Sequence, residues 1–150
     1  MPGTYSNLNF HVVFSTKNRD AIIVSELEEE LYRYIAGIVK GEGANLLKIG
    51  GTENHVHIVV RLKPTYSIPD ILKHIKANSS KWINDRQKIH GRFSWQAGYG
   101  IFSISESQLP HTIEYVGNQK QHHQRISFKE EFVGFLEKNG IQYDKKYLWE

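Results

Sequence analysis

Between Leu8 and Ser15 the chain alternates. Leu8, Phe10, Val12 and Phe14 fall on one side of an extended segment, and Asn9, His11, Val13 and Ser15 on the other. That period of two predicts a strand with one apolar face. "TKNRD" follows as a basic loop. From Ser25 the period changes: Leu27, Leu31, Tyr34, Ile35 and Ile38 form a helical stripe, Ser25 and Glu28 have capping-box spacing, and Gly41-Glu42-Gly43 ends the helix. "ANLLKIGG" and "ENHVHIVVRL" predict two strands joined by a tight turn at Thr52 to Asn54, with Pro64 closing the second. Ser67 and Asp70 again have capping spacing, and Ile71, Leu72, Ile75, Trp82 and Ile83 carry a second long helix to about Lys88. After a loop from Gly91 to Gly98, "GYGIFSIS" predicts a fourth strand. Pro110 stands near the start of a third helix that runs to about His123. Ser127 and Glu130 cap a fourth helix, ended by Gly140.

The order β-α-β-β-α-β followed by two helices is the ferredoxin-like, RRM-like split βαβ pattern. It predicts an α+β fold with one antiparallel sheet, both long helices on one face and the other face open. Residues 1–150 then read as a single domain, with no repeat, low-complexity run or linker to divide them.

Composition narrows the chemistry. There is no cysteine, so disulfides, thiolate catalysis and cysteine-bound zinc are excluded. No apolar run is long enough to span a bilayer, and the N-terminus lacks the pattern of a signal peptide, so the expected location is the cytoplasm without membrane attachment. A net charge of +3 leans mildly toward an acidic partner.

Eight histidines are many for this length. Two of them, His55 and His57, share a strand face with Val59 and Arg61, while Val56, Ile58, Val60 and Leu62 share the other. Imidazoles two residues apart can converge on one metal ion, but a lone H-x-H pair reads equally as polar residues on a wet face or a hydrogen-bonded core histidine. Tyr115 and Gln119 lie four apart on the third helix and share a side. Tyr115 suits a core aromatic beside Ile113 and Val116, or a phosphodiester nucleophile if a metal site lies next to it. Lys17 and Arg19 in the first loop and Lys73, Lys76 and Lys81 on the second helix are candidate phosphate contacts, or simply solvated charges. Asn78, Ser79 and Ser80 add neutral donors. Trp82 and Trp95 offer stacking surfaces, although Trp82 sits on the apolar stripe.

Together these segments resemble the single-tyrosine (Y1) HUH transposases of the IS200/IS605 family. His55-Val56-His57 matches the histidine-hydrophobic-histidine motif, and Tyr115 with Gln119 matches the nucleophile helix and its metal-binding glutamine. "HVVFSTKNR", "IPDILKHIKANSSKWI", "WQAGYGIFSIS", "YVGNQKQHH" and "GIQYDKKYL" extend the likeness nearly end to end. The resemblance implies attack by Tyr115 on single-stranded DNA, a 5′-phosphotyrosine and a free 3′-hydroxyl. It implies Mg²⁺ or Mn²⁺ held by His55, His57 and Gln119, DNA ends carrying subterminal hairpins, and a homodimer that brings two nucleophiles together. The proton acceptor for Tyr115 stays open, with Glu53 and Glu114 near in sequence.

Three rivals remain at this level. A non-catalytic RRM-like module calls for exposed aromatics on the middle strands, where this chain has histidines. A domesticated nuclease acting on host repeat hairpins would share all the chemistry and differ only in the DNA around its gene. A hydrolase using water would form no covalent protein–DNA adduct. Histidine is a softer ligand than Mg²⁺ usually takes. Mn²⁺ is therefore expected to bind at least as tightly as Mg²⁺ in competition titrations.

Overall fold

The computed structural model describes residues 3–149. Its centre is a four-stranded antiparallel sheet in the order β2-β3-β1-β4. The strands are β1 (Leu8–Ser15), β2 (Asn45–Gly51), β3 (His55–Leu62) and β4 (Gly100–Ile104). β1 sits between β3 and β4, with Val12 opposite Ile58 and Val13 opposite His57. β2 and β3 form the expected hairpin.

Helices α1 (Ser25–Gly41) and α2 (Ile68–Asp85) cover one face. Leu27, Leu31, Ile35 and Val39 from α1 and Ile71, Leu72, Ile75 and Ile83 from α2 bury against Val12, Phe14, Val56, Ile58 and Val60. The 3.6-residue and two-residue periods thus meet in one core, as the sequence pattern requires. Ser67 caps α2 by accepting from the Asp70 amide, whereas α1 begins directly at Ser25, preceded by Val24, with no side-chain cap. α2 stops at Asp85, short of Lys88, because Gln87 takes a left-handed φ of 51°.

The opposite face is not open. Helix α3 (Leu109–Gly117), the single turn α4 (Gln119–His122) and helix α5 (Phe128–Lys138) pack over it. Val59 buries against Leu109 and Val116, and Val13 and Phe102 bury against Phe128, Phe132 and Leu136. β3 is consequently covered on both sides, and His55 and His57 have no exposed surface. The expected continuous third helix is broken at Asn118, whose ψ of 23° ends α3 one residue before Gln119. Ser127 and Glu130 form the full capping box at the start of α5.

Glycine sets how close α3 comes. Gly50 pairs with His57 across β2 and β3, and a Cβ there would overlap the Val116 carbonyl oxygen. Gly50→Ala is expected to lift α3 and destabilise the fold by about 1–3 kcal/mol in urea denaturation. Gly134→Ala, on an exposed face of α5 with nothing near its Cβ position, is expected to be neutral or to stabilise by about 0.5–1 kcal/mol.

Candidate active site

The histidines on β3 are oriented from behind. The Nδ1 of His57 lies 2.7 Å from His11 Nε2 on β1. The Nδ1 of His55 lies 2.8 Å from Asn54 Oδ1 and 3.0 Å from Thr52 Oγ1, in the hairpin turn. Both Nε2 atoms therefore face α4 and α5. His55 Nε2 is 3.2 Å from Gln119 Oε1, and His57 Nε2 is 2.9 Å from Glu131 Oε1. His123, whose Nδ1 is held by the Ile126 carbonyl at 2.9 Å, brings Nε2 to 3.0 Å from Gln119 Oε1 and 3.2 Å from Glu131 Oε1.

Tyr115 stands at the edge of this cluster. Its hydroxyl donates to Glu131 Oε2 and lies 3.0 Å from His122 Nε2. One side of the ring opens on a cleft of about 580 Å³, lined also by His111, Asn118, Gln121 and Arg125. His55, His57, Tyr115 and Gln119, singled out from the sequence, thus come together within one chain.

Burial decides the charges. It lowers His11 and His55 to about 3 and also lowers His57 from its ordinary value, because an imidazolium there would be desolvated beside other imidazoles. All three are neutral at pH 7, the state in which Nε2 can ligate a metal. Burial also pushes His123 down, but its hydrogen bond to the Glu131 carboxylate outweighs this and raises it overall. For Glu131, burial favours protonation, but the hydrogen bonds from His123 and His57 prevail and hold the carboxyl well below the usual range. Tyr115 is raised above its ordinary value by burial and by the neighbouring Glu131 charge.

The donor set fits a divalent cation. One atom from each of His55, His57, His123 and Glu131 lies within 4.8 Å of all the others. Both β3 imidazoles have Nδ1 engaged on the sheet side and Nε2 facing the other donors, the orientation that metal-binding histidines use.

The structure also shows what sequence spacing did not reveal. Neither Glu53 nor Glu114 hydrogen-bonds to Tyr115; Glu131 and His122 are its partners. Glu131 lies four residues into α5, on the stripe of Phe128, Phe132 and Leu136. A buried acid on an apolar stripe was the available signal. His11, on the histidine side of β1, was the other.

The candidate DNA-binding residues are spread out. Lys73, Lys76 and Lys81 are on α2, across the sheet from the histidines. Lys76 donates to the carbonyls of Gln96 and Gly98 at 3.0 and 2.5 Å, which ties the loop before β4 to α2; burial lowers it to about 8. Lys81 pairs with Asp85, and Lys73 is exposed. Lys17 is exposed in the turn after β1, and the Arg19 guanidinium sits 5.0 Å from the Trp149 ring centre. Ser79 and Ser80 bond back to their own helix. Trp95 is core, packed on Phe14 and Phe93, while Trp82 stacks on Tyr34.

The chain is similar to known transposases in sequence and fold. A family model described as IS200-like transposase matches residues 4–119. The ISDra2 transposase TnpA of Deinococcus radiodurans is 24% identical over 122 residues, covering 78% of this chain and 87% of that protein. The crystal structure of a candidate transposase from Deinococcus radiodurans R1 aligns with a TM-score of 0.64 at 24% identity, over 78% of this chain and 96% of that one. The structure of a REP-associated tyrosine transposase bound to a REP hairpin aligns at 0.57 and 13% identity, over 77% of this chain and 68% of that one.

The buried charges set the pH dependence of stability. His11, His55 and His57 take up protons on unfolding at any pH between their low folded values and the ordinary 6.5. Each therefore lowers stability as pH falls through that window. Glu131 adds to the loss below its ordinary 4.5, and His123, shifted upward, opposes it. Urea midpoints of the metal-free protein are expected to fall from pH 7 to pH 5, and to fall less in His11→Phe.

Proposed function

Because the chain belongs to the family of IS200-like transposases, we propose that it cuts and rejoins single-stranded DNA through Tyr115. The Tyr115 oxygen attacks the scissile phosphorus as the bond to the 3′-oxygen breaks. The 5′ side is left as a phosphotyrosine and the 3′ side as a hydroxyl. Attack by a 3′-hydroxyl on the phosphotyrosine reverses the exchange, so each broken bond is replaced by another and no nucleotide cofactor is consumed.

His55, His57 and Gln119 would hold Mg²⁺ or Mn²⁺, which would supply polarisation of the phosphate and a counter-charge for the transition state. The substrate is single-stranded DNA with subterminal hairpins, and a homodimer supplies one tyrosine for each end of the excised segment. Residues 1–150 act as one catalytic domain on cytoplasmic DNA. Lys17, Arg19, Lys73 and Lys81 remain phosphate contacts in this reading. Lys76 acts through the loop that it holds.

One observation carries this reading. Gln119 Oε1 lies 3.2 Å from His55 Nε2, and the Tyr115 hydroxyl is joined to His57 through the Glu131 carboxylate, so nucleophile and imidazoles share one cluster. That juxtaposition of nucleophile and ligands suits phosphodiester chemistry and has no use in a passive binding module. A host-repeat nuclease would use the same residues; the solved relative that carries a REP hairpin is the ground for including repeat hairpins among the DNAs tested.

The test uses hairpin-bearing single-stranded DNA from the flanks of the chain's own gene, with Mn²⁺ and a denaturing gel. Tyr115→Phe removes one oxygen and almost no volume. Cleavage and the covalent adduct are expected to fall by several orders of magnitude, while hairpin binding persists and weakens with salt. Mass spectrometry is expected to place the DNA on Tyr115. An adduct on Tyr99 or Tyr143 would transfer the role to that residue.

A further inference from the structure

Glu131 touches both halves of the site. Its Oε1 lies 2.9 Å from His57 Nε2, 3.2 Å from His123 Nε2 and 3.6 Å from His55 Nε2. Its Oε2 accepts from the Tyr115 hydroxyl and lies 3.3 Å from His122 Nε2. It comes from the first turn of α5, beyond the stretch that the family model matches.

This carboxylate is 4% exposed and is packed among the imidazoles of His55, His57, His122 and His123. A buried negative charge needs a counter-charge. The N-terminus of α5 offers part of one, and His123, the imidazole raised by Glu131, another part. A divalent cation between Glu131, His55 and His57 supplies the remainder. The geometry allows it: ligands with bonds of about 2.1 Å lie roughly 3–4.2 Å apart around one ion. The ligand atoms of His55, His57, His123 and Glu131 lie within 4.8 Å of one another, so a small contraction seats the ion.

We propose that Glu131 is a direct ligand of the divalent metal, through Oε1, alongside His55 and His57. The site is then two imidazoles and a carboxylate, with Gln119 and His123 close by. An anionic ligand in the same chain lets the ion bind before DNA arrives. It also places the carboxylate that holds Tyr115 on the ion itself, so α5 is part of the catalytic unit rather than a cover over it. The inference rests on the metal-assisted reading above.

The test is calorimetric titration of the full chain with MnCl₂, without DNA. Wild type, Glu131→Gln, Glu131→Ala and His57→Ala are compared, with circular dichroism as the fold check. Glu131→Gln keeps the shape and one acceptor oxygen but loses the charge. It is expected to weaken Mn²⁺ at least about tenfold, with Glu131→Ala at least as weak and the Mn²⁺-dependent rise in Tm reduced in both. Wild-type affinity in folded Glu131→Gln and Glu131→Ala, with binding lost in His57→Ala, overturns the role of Glu131 and leaves the metal reading standing. Tighter binding in Glu131→Gln overturns it too, since the carboxylate would then be competing with the ion. No Mn²⁺ binding by the wild type overturns both. A shift of a carboxylate stretching band when one equivalent of Mn²⁺ meets the wild-type chain gives the answer without a substitution, and no shift overturns the proposal.

Discussion

A carboxylate buried among imidazoles and a phenol is the constraint around which the second half of this protein is arranged. Hydrogen bonds at both oxygens help Glu131 to stay ionised there. Oε1 meets His57 and His123, and Oε2 meets Tyr115 and His122. Breaking one partnership in such a site leaves a desolvated charge, an effect of several kcal/mol. The contacts draw on β3, α3, the residues after α4 and α5, so one side chain ties together elements spread from His57 to Glu131. The start of α5, with its Ser127 and Glu130 capping box, also places that charge near amides that stabilise it.

The same constraint accounts for the way the sheet is covered. One face carries a dry aliphatic core under α1 and α2. The other is mixed: apolar patches around Val59 and around Val13 flank a polar strip that contains His11, His55 and His57. Such a strip is tolerable in an interior only when its hydrogen bonds are made. Here they are made in two layers. Thr52, Asn54 and His11 hold the imidazoles from the sheet side, and Gln119, His123 and Glu131 meet them from the helix side. Gly50 lets α3 come down far enough for the second layer to reach the first.

Function follows from that layering. A nucleophile on a mobile side chain would need to find its target. Tyr115 is held by Glu131 and His122 at the mouth of a cleft, next to the groups that would bear on a phosphate. Preorganisation of this kind replaces an entropic search with a fixed approach. The break at Asn118 serves the same end, since it turns the chain between Tyr115 and Gln119 so that both side chains reach the histidine strip.

Local pattern was enough for the frame. The alternation along β1 and β3, the stripes of α1 and α2, and the glycines and prolines between them specified a split βαβ sheet with helices on one face, because these signals depend only on neighbours in the chain. The H-x-H pair and the Tyr115–Gln119 spacing were legible for the same reason: each pair lies within five consecutive residues, although the break at Asn118 divides the second pair between α3 and α4. The boundaries that shifted, at Lys88 and Asn118, are where a dihedral rather than a period decides. What sequence alone could not settle was the second face. Its histidines look solvent-facing in the strand pattern, and only the packing of α3 and α5 buries them. Glu131 reads as an acid on the apolar stripe of an amphipathic helix, a signal that names none of its partners. Its meaning depends on contacts 74 residues away at His57 and 16 residues away at Tyr115. Long-range burial, which changes both the charge state and the partners of a side chain, is a property of the folded chain and has no local signature.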